Sequence, residues 1–503
     1  MVGVSRLARL CCTRARSPNG HPEGWRGAMN LALVAPEMVL LVSACVLLLL
    51  DLTGRRPGLA AGLTLCGLLV AGAAAVPLVG ARGTAFGGMV VADDFALVFK
   101  ALFLGSTLVV VLFSWEYVER LPRLAGEYYA LLLLACAGTM LLAGSGELIT
   151  LYLSLEVTTI SLAALAALLK DERSTEAGIK YLLLGGLSSA VLLYGMAIVL
   201  ALAGTTNLQE IGAMLPGAWQ ENRLAVLLAM VLFTGGFGFK LAMVPFQMWA
   251  PDVYEGAPTP VTAFLSVVSK AGGVAVVLRV FHSALGSDPI AADWATVFAV
   301  LSALSMTLGN AVAIQQRNIK RMMGYSSIAH AGYLLVGIAV VPQVGPGGAV
   351  FYLLAYALTN LGAFAAITVL GHRLNSDLIA DYSGAWERSP LAALALGLCL
   401  LSLTGIPPTA GFFAKLFIFN AGMQHGLGWL VLIGVVNSVV SAYYYVGVLR
   451  VVFLGLPSSD RGFQPSLPAT VAIGIAAAGT VLLGVFPGPA LDVATVAASS
   501  VVP

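Results

Sequence analysis

The sequence predicts an all-α polytopic membrane protein of about fourteen transmembrane helices, and three observations lead there. The chain is 59% hydrophobic and only 10% charged, against roughly 25% charged for a soluble globular protein. Apolar runs recur from end to end, most of them long enough to cross a hydrocarbon core of about 30 Å as a helix. The Lys and Arg between the runs fall almost entirely in alternate loops. A β-barrel would need segments of about ten residues of alternating polarity, and the sequence has none.

In chain order the spans fall near 31–50, 57–79, 95–115, 127–145, 147–169, 178–203, 223–249, 259–283, 291–314, 321–341, 347–371, 390–423, 427–453 and 467–489. The fourth and fifth meet at "AGSGEL" with almost no loop. The polar stretches between spans, near 204–223 and 371–389, read as loops, and no soluble domain of useful size is present. Two spans carry helix breakers. Pro245 interrupts the seventh, and "TGIPPTAG" breaks the twelfth around Pro407 and Pro408. Backbone groups freed by a break are tolerated in a membrane only where protein or water satisfies them.

Orientation follows from the basic residues, which favour the cytoplasmic side. Loops after odd-numbered spans carry Arg55 and Arg56, Arg120 and Arg123, Lys170 and Arg173, Arg317, Lys320 and Arg321, Arg373 and Arg388, and Arg461; loops after even-numbered spans carry little beyond Arg82 and Arg223. Odd loops are therefore cytoplasmic and both termini lie outside. Residues 1–28 break this pattern with Arg6, Arg9, Arg14, Arg16 and Arg26. An Arg-rich, acid-poor leader reads as a transit peptide; the reading favoured here is a translation start at Met29, where "MNLALVAPEMVLL" opens the first span. Removing that extension takes the formal charge from +2 to −2, so the mild basicity implies no nucleic-acid partner.

The six cysteines form no CxxC pair, which argues against an iron–sulfur or zinc site. Cys45, Cys66, Cys136 and Cys399 lie inside spans and read as small core residues. No glycine-rich nucleotide motif or Walker sequence occurs, so redox or hydrolytic chemistry belongs to other chains.

What needs explaining is the charge inside the spans. The chain has seven lysines, and one at the centre of a membrane helix costs a few kcal/mol. By depth along each helix, Glu156 in the fifth span and Lys270 in the eighth lie near the midplane, as does His330 in the tenth. Lys240 and Lys415 each accompany one of the breaks. Lys100 and Arg279 sit nearer span ends, where a long stem can carry the charge to the headgroups; Lys180 is divided between that reading and a functional one. Glu156, Lys240, Lys270 and Lys415 are too deep for snorkelling. Burial weakens a lysine's hold on its proton and a nearby carboxylate strengthens it, so a Lys–Glu pair that can separate is a two-state proton site.

An internal echo supports this. "GFGFKLAMVPF" around Lys240 resembles "TAGFFAKLFIF" around Lys415, 175 residues later, and Glu156 shifted by nearly the same amount lands on His330. An offset of five spans reverses orientation, as in the inverted-topology repeats of transporters.

"FKLAMVPFQMWAPDVYEGAPTPVTAFLSVVSKAG", "KRMMGYSSIAHAGYLLVG" and "LTGIPPTAGFFAKLFIF" closely resemble the antiporter-like subunits of the proton-pumping NADH:quinone oxidoreductase (respiratory complex I), in their N-type branch, from Met29 to the C-terminus. The resemblance implies an antiporter-like fold with two inverted five-helix repeats and two broken helices. The chain would divide into an extension (1–28), three leading helices (29–126), a first repeat (127–283), a second repeat (291–453) and a last helix with the C-terminus (454–503). It also implies proton translocation through Glu156, Lys180, Lys240, Lys270, His330 and Lys415, driven by electron transfer elsewhere. NADH, FMN, iron–sulfur clusters and quinone would be handled by other subunits, with no cofactor or metal in this chain. The partners implied are the other membrane and peripheral subunits, above all the neighbouring antiporter-like ones, in a bacterial inner membrane. Gln247 stands in "VPFQMW" where members often have His, so titration at that position is in doubt.

Three other readings compete. A subunit of a multi-subunit cation/proton antiporter shares the fold, but Trp249–Lys270 argues against it. A transporter of an organic solute would need a mixed polar pocket at the midplane. A purely structural scaffold leaves the midplane charges unexplained.

Overall fold

The computed structural model describes residues 30–53, 56–121, 123–457 and 462–502. The N-terminal extension 1–28, Arg55 and Arg461 lie outside them. The described chain is a bundle of helices: α1 (Ala35–Thr53), α2 (Pro57–Ala75), α3 (Asp94–Glu119), α4 (Ala125–Ala143), α5 (Leu148–Ala166), α6 (Glu172–Ala203) and α7 (Leu208–Leu241). These are followed by α8 (Trp249–Gly256), α9 (Thr259–Ala284), α10 (Asp288–Ala313), α11 (Ile319–Ala339) and α12 (Val344–Leu374). The remainder are α13 (Pro390–Thr404), α14 (Ala410–Gln424), α15 (Gly428–Leu454), α16 (Leu467–Val485) and α17 (Gly488–Ala498). Twelve helices of the described residues are long and apolar enough to cross a membrane individually. The more polar α11 and the pair α13–α14 supply the other two of the fourteen expected spans.

Most boundaries follow the apolar runs, but one loop is helical. The stretch 204–223 was expected as loop, yet α7 starts at Leu208 and continues through Pro216, with a kink at Asn222. Asn207 caps it by accepting from the N–H groups of Gln209 and Glu210. Leu208, Ile211 and Leu215 bury one stripe, the spacing of an amphipathic helix, which the polar composition hides. The connection at Gly144–Glu147 is as tight as "AGSGEL" implied: Ser145 bridges to Val90 and Glu147 to Asn207.

Both predicted breaks are real. α7 ends at Leu241, Ala242 adopts a left-handed φ of 55°, and α8 resumes at Trp249. α13 ends at Thr404, followed by Gly405 at φ 95°, and α14 begins at Ala410. Lys240 therefore precedes its break whereas Lys415 follows its own.

At the centre runs α9, buried along its whole length. It is apolar nearly all round, as a helix surrounded by others must be, and packs against α3, α4, α7 and α12. Two π-helical stretches, Leu265–Ser269 and Arg279–Ala284, interrupt it. The loops sort to two ends. A short hairpin of β1 (Gly83–Ala85) and β2 (Val90–Ala92) gathers at one end with the connections after α4, α6 and α9 and the C-terminal residues. The connections after α5, α8, α10 and α12 gather at the other, as the alternating basic loops require.

Candidate functional site

The break after α7 is closed by protein groups. Gly238 and Phe239 carbonyls accept from Met243 and Ala242 N–H. Trp249 Nε1, across the break, donates to Phe239 O at 2.8 Å, and Val244 N–H donates to Ser305 Oγ at 2.9 Å. This holds Lys240 in a fixed place in the core, 2% exposed. Its Nζ donates to Thr159 Oγ1 on α5 at 3.1 Å and contacts Tyr181 Oη on α6 at 3.4 Å. Glu156 lies one turn before Thr159. It forms no ion pair within 4 Å among the described residues, and its Oε1 is buried with no hydrogen-bond partner. The sequence reading of a Lys–Glu pair that can separate is met here in its separated form. The Thr159 hydroxyl stands beside the ammonium instead, and the half-buried carboxylate sits at the edge of the outer face of α5, between exposed Leu153 and Val157.

Lys270 follows immediately on the first π stretch of α9, a type of distortion frequent at functional sites. It is buried and its Nζ donates to Ser327 O of α11. One turn along the same face of α9 is Gly273, packed on the Lys240 stem: a Cβ there would lie 3.3 Å from Lys240 Cγ. The two lysines are thus neighbours. Ser327 is a node that the sequence did not single out, its Oγ paired with Tyr254 Oη at 3.0 Å and Tyr356 Oη at 3.3 Å.

His330 is one further turn along α11. Its Nδ1 meets Tyr352 Oη at 2.6 Å and its Nε2 meets Tyr445 Oη at 3.4 Å. It shares a small cavity of about 10 Å³ with Lys415, Tyr352, Tyr356, Thr359 and Ser402, about the room one water needs. Lys415 Nζ donates to the carbonyls of Leu403 (3.0 Å) and Thr404 (2.8 Å), which the end of α13 leaves free. A cation at a helix C-terminus is favoured by the dipole, and the Tyr333 ring lies 4.6 Å away on another side.

Four of the six expected site residues, Lys240, Lys270, His330 and Lys415, therefore form one buried axis interleaved with hydroxyls, and Glu156 flanks it. Lys180 does not join them. Its side chain is 38% exposed and ion-paired with Glu176 and Asp252, both at 2.6 Å. Asp252 also binds Arg321 at 2.7 Å, and Arg321 reaches Glu255 at 3.0 Å. These charges line a cavity of about 260 Å³ between α6, α8 and α11. The i, i+3 spacing of Asp252 and Glu255 could have signalled it. Gln247 lies half-buried in the break, with Oε1 unpartnered.

Two snorkelling expectations fail. Lys100 is 1% exposed and forms an ion pair with Glu37 at 2.8 Å. Arg279 is buried against Asp93 (2.8 Å), with Nε donating to Ala143 O. Both partners come from distant segments, and a buried counter-charge holds the cation where a stem would otherwise carry it to water. Cys45 and Cys66, expected in the core, are exposed on the outer faces of α1 and α2, while Cys136 and Cys399 are buried.

Comparison with known proteins agrees with this geometry. The family described as NADH:quinone oxidoreductase/Mrp antiporter, TM, matches residues 145–441, which include the whole axis. The NADH-quinone oxidoreductase subunit N of Heliobacterium modesticaldum is 44% identical over 479 residues, covering 94% of this chain and 100% of that protein. A chain of respiratory complex I from Thermus thermophilus superposes with a TM-score of 0.78 at 33% identity, covering 92% of this chain and 99% of that one. A chain of the Mrp complex from Dietzia sp. DQ12-45-1b shares the fold, with a TM-score of 0.82 over 94% of this chain and 98% of that one, at 21% identity. The chain belongs to the NADH:quinone oxidoreductase/Mrp antiporter transmembrane family, in its NADH-quinone oxidoreductase subunit N branch.

Proposed function

We propose that this chain is a proton-translocating membrane subunit of an NADH:quinone oxidoreductase, driven by electron transfer from NADH to quinone in other subunits. The observation that carries the reading is the buried axis Lys240–Lys270–His330–Lys415. Four buried side chains able to gain or lose a proton are costly in a membrane, and hydroxyls of Thr159, Tyr181 and Tyr352 contact them directly, with those of Tyr254 and Tyr356 on the Ser327 that holds Lys270.

In this reading Glu156 sets the charge state of Lys240 through its field, strengthening or weakening the ammonium as the carboxylate moves or is itself neutralised. Lys270 connects the two halves. The Ser327 carbonyl that holds it cannot carry a proton, so transfer proceeds through the Ser327 and Tyr356 hydroxyls and intervening water toward His330, and on to Lys415. Lys180 serves the cytoplasmic vestibule and the axis begins at Lys240. FMN, iron–sulfur clusters, NADH and quinone belong to partner subunits. The neighbouring antiporter-like subunits cover the exposed flanks, in a bacterial inner membrane with the odd loops and the Lys180 vestibule inside and both termini outside.

The division into inverted repeats, 127–283 and 291–453, is part of the proposal. Its support is a pair of isolated bridges, Glu147↔Asn207 and Asn318↔Leu378. Both partners of the second lie 171 residues after those of the first (147 to 318, 207 to 378). That shift brings Thr159, the hydroxyl on Lys240, onto His330 and Glu156 onto Ser327, one turn from the Glu156–His330 match of the sequence echo.

Membrane vesicles holding the assembled complex with Lys240→Ala provide the test. The complex should assemble and lose most of its quinone-reductase-driven pH gradient; a wild-type gradient from a fully assembled variant would sink the reading. An antiporter subunit without redox partners is the second reading, and the identity of 44% to a subunit N against 21% to the Mrp chain favours the first.

A further inference from the structure

α11 opens with a lysine in an unfavourable place. Lys320 is the second residue of the helix, its N–H accepted by the Asn318 cap. A cation in a first turn faces the positive end of the helix dipole, and Lys320 is also buried, 4% exposed. Its Nζ donates to Ala257 O at 2.8 Å, in the turn between α8 and α9, and stands 3.4 Å from Asp377 in the segment after α12.

This side chain lines a polar cavity of about 480 Å³ at the end where the odd-numbered loops gather, together with Asp171, Arg173, Glu255, His372 and Asp377. Seven residues further on, two turns along the same face of α11, is Ser327, whose carbonyl holds Lys270. Between them is Gly324, against which Tyr254 lies close: a Cβ there would meet the Tyr254 ring at 3.4 Å. The Tyr254 hydroxyl pairs with Ser327 Oγ at 3.0 Å. On the far side of Lys270, α9 offers no such continuation. Residues 271–278 are Ala, Gly, Val and Leu, and Arg279 beyond them is tied to Asp93.

We propose that Lys320 is a proton inlet for Lys270, separate from the Lys180 vestibule; the proposal rests on the translocator reading above. The Lys320 ammonium breaks one N–H bond, and the proton travels through water and hydroxyls along the α11 face. It forms an N–H bond on a neutral Lys270 amine. The neutral Lys320 then takes a proton from cavity water, with Asp377 stabilising the restored ammonium, and no electrons move. A structural alternative exists, in which Lys320 only straps α11 to the α8–α9 turn and to Asp377.

Lys320→Arg separates the two. Arginine keeps the charge and the donors to Ala257 O and Asp377 but does not release its proton. In sealed vesicles, normalised to assembled complex, the inlet requires at least a tenfold loss of the pH gradient, and a strap requires a normal one. Asp377→Asn is the second variant, in case arginine blocks assembly. It removes the anion while keeping an acceptor, so the alkaline limb of pumping should move to lower pH by about one unit; an unmoved limb overturns the inlet. Lys240→Ala runs in parallel. If it also pumps normally, the translocator reading itself fails, whereas normal pumping by Lys320→Arg or Asp377→Asn alone removes only the inlet.

Discussion

Gly273 offers a perturbation of Lys240 that leaves every titratable group in place. A Cβ at this position would lie 3.0 Å from Leu241 Cδ2, 3.3 Å from Lys240 Cγ and 3.5 Å from Lys240 Cβ. The Lys240 stem must then retreat by a few tenths of an ångström. Its hydrogen bonds, at 3.1 Å to Thr159 and 3.4 Å to Tyr181, are already long, so a retreat that lengthens the second takes it past bonding distance. A hydrogen bond to a charged group is worth about 1.5–3 kcal/mol, so the protonated state of Lys240 shifts by roughly ten- to a hundredfold. Folding itself should change little, because Gly→Ala inside a helix gains about 1 kcal/mol against an overpacking cost of about 1–3 kcal/mol. The assay is the pH gradient formed by assembled Gly273→Ala complex in sealed vesicles. Gly272→Ala is the control: its Cβ meets the Thr139 methyl at 3.2 Å and Leu142 at 3.5 Å, a comparable load away from Lys240. We expect Gly273→Ala to lose about tenfold or more of its pumping and Gly272→Ala to keep it. Equal pumping by the two variants would refute the link between this packing and the proton step.

Two further outcomes are expected. At Glu156, pumping should fall in the order wild type, Glu156→Asp, Glu156→Gln with assembly unchanged, since the role proposed for it is that of a field on Lys240 and not of a contact; a Gln variant that pumps like wild type would reduce Glu156 to a buried polar group. The Glu37–Lys100 pair lies off the axis, so breaking it with Lys100→Met should cost about 3–5 kcal/mol of stability and lower the amount of assembled complex without changing pumping per complex, while the double variant Glu37→Gln/Lys100→Met should restore much of the yield, as blue-native gels can show.

The spans were legible because a membrane helix must be apolar over its length, and the breaks because proline removes a donor within it. Lys240, Lys270 and Lys415 stood out on cost alone. What escaped depended on distant partners. Nothing near Lys100 in sequence announces Glu37, and nothing near Arg279 announces Asp93, so both read as snorkelling cations. Lys180, divided between two readings, stayed open for a related reason. Depth along a helix says how far a residue lies from its end, but not whether a vestibule reaches in to meet it. The helix at 208–221 was missed because its apolar stripe of Leu208, Ile211 and Leu215 is narrow within a polar segment. Ser327 and its tyrosines carry no charge, and only the packing of α8, α11 and α12 around α9 makes them a node.

The central claim is that Lys270 passes protons between the two halves of the axis, and Lys270→Arg tests it most directly. Arginine can keep the cation and a donor for the Ser327 carbonyl, yet it holds its protons too tightly to release them. The measurement is NADH-driven acidification of sealed vesicles, normalised to assembled complex. The account requires a near-complete loss of the gradient in a complex that assembles normally. A wild-type gradient from that same assembled variant would show that charge alone suffices at this position, and would contradict proton passage through Lys270.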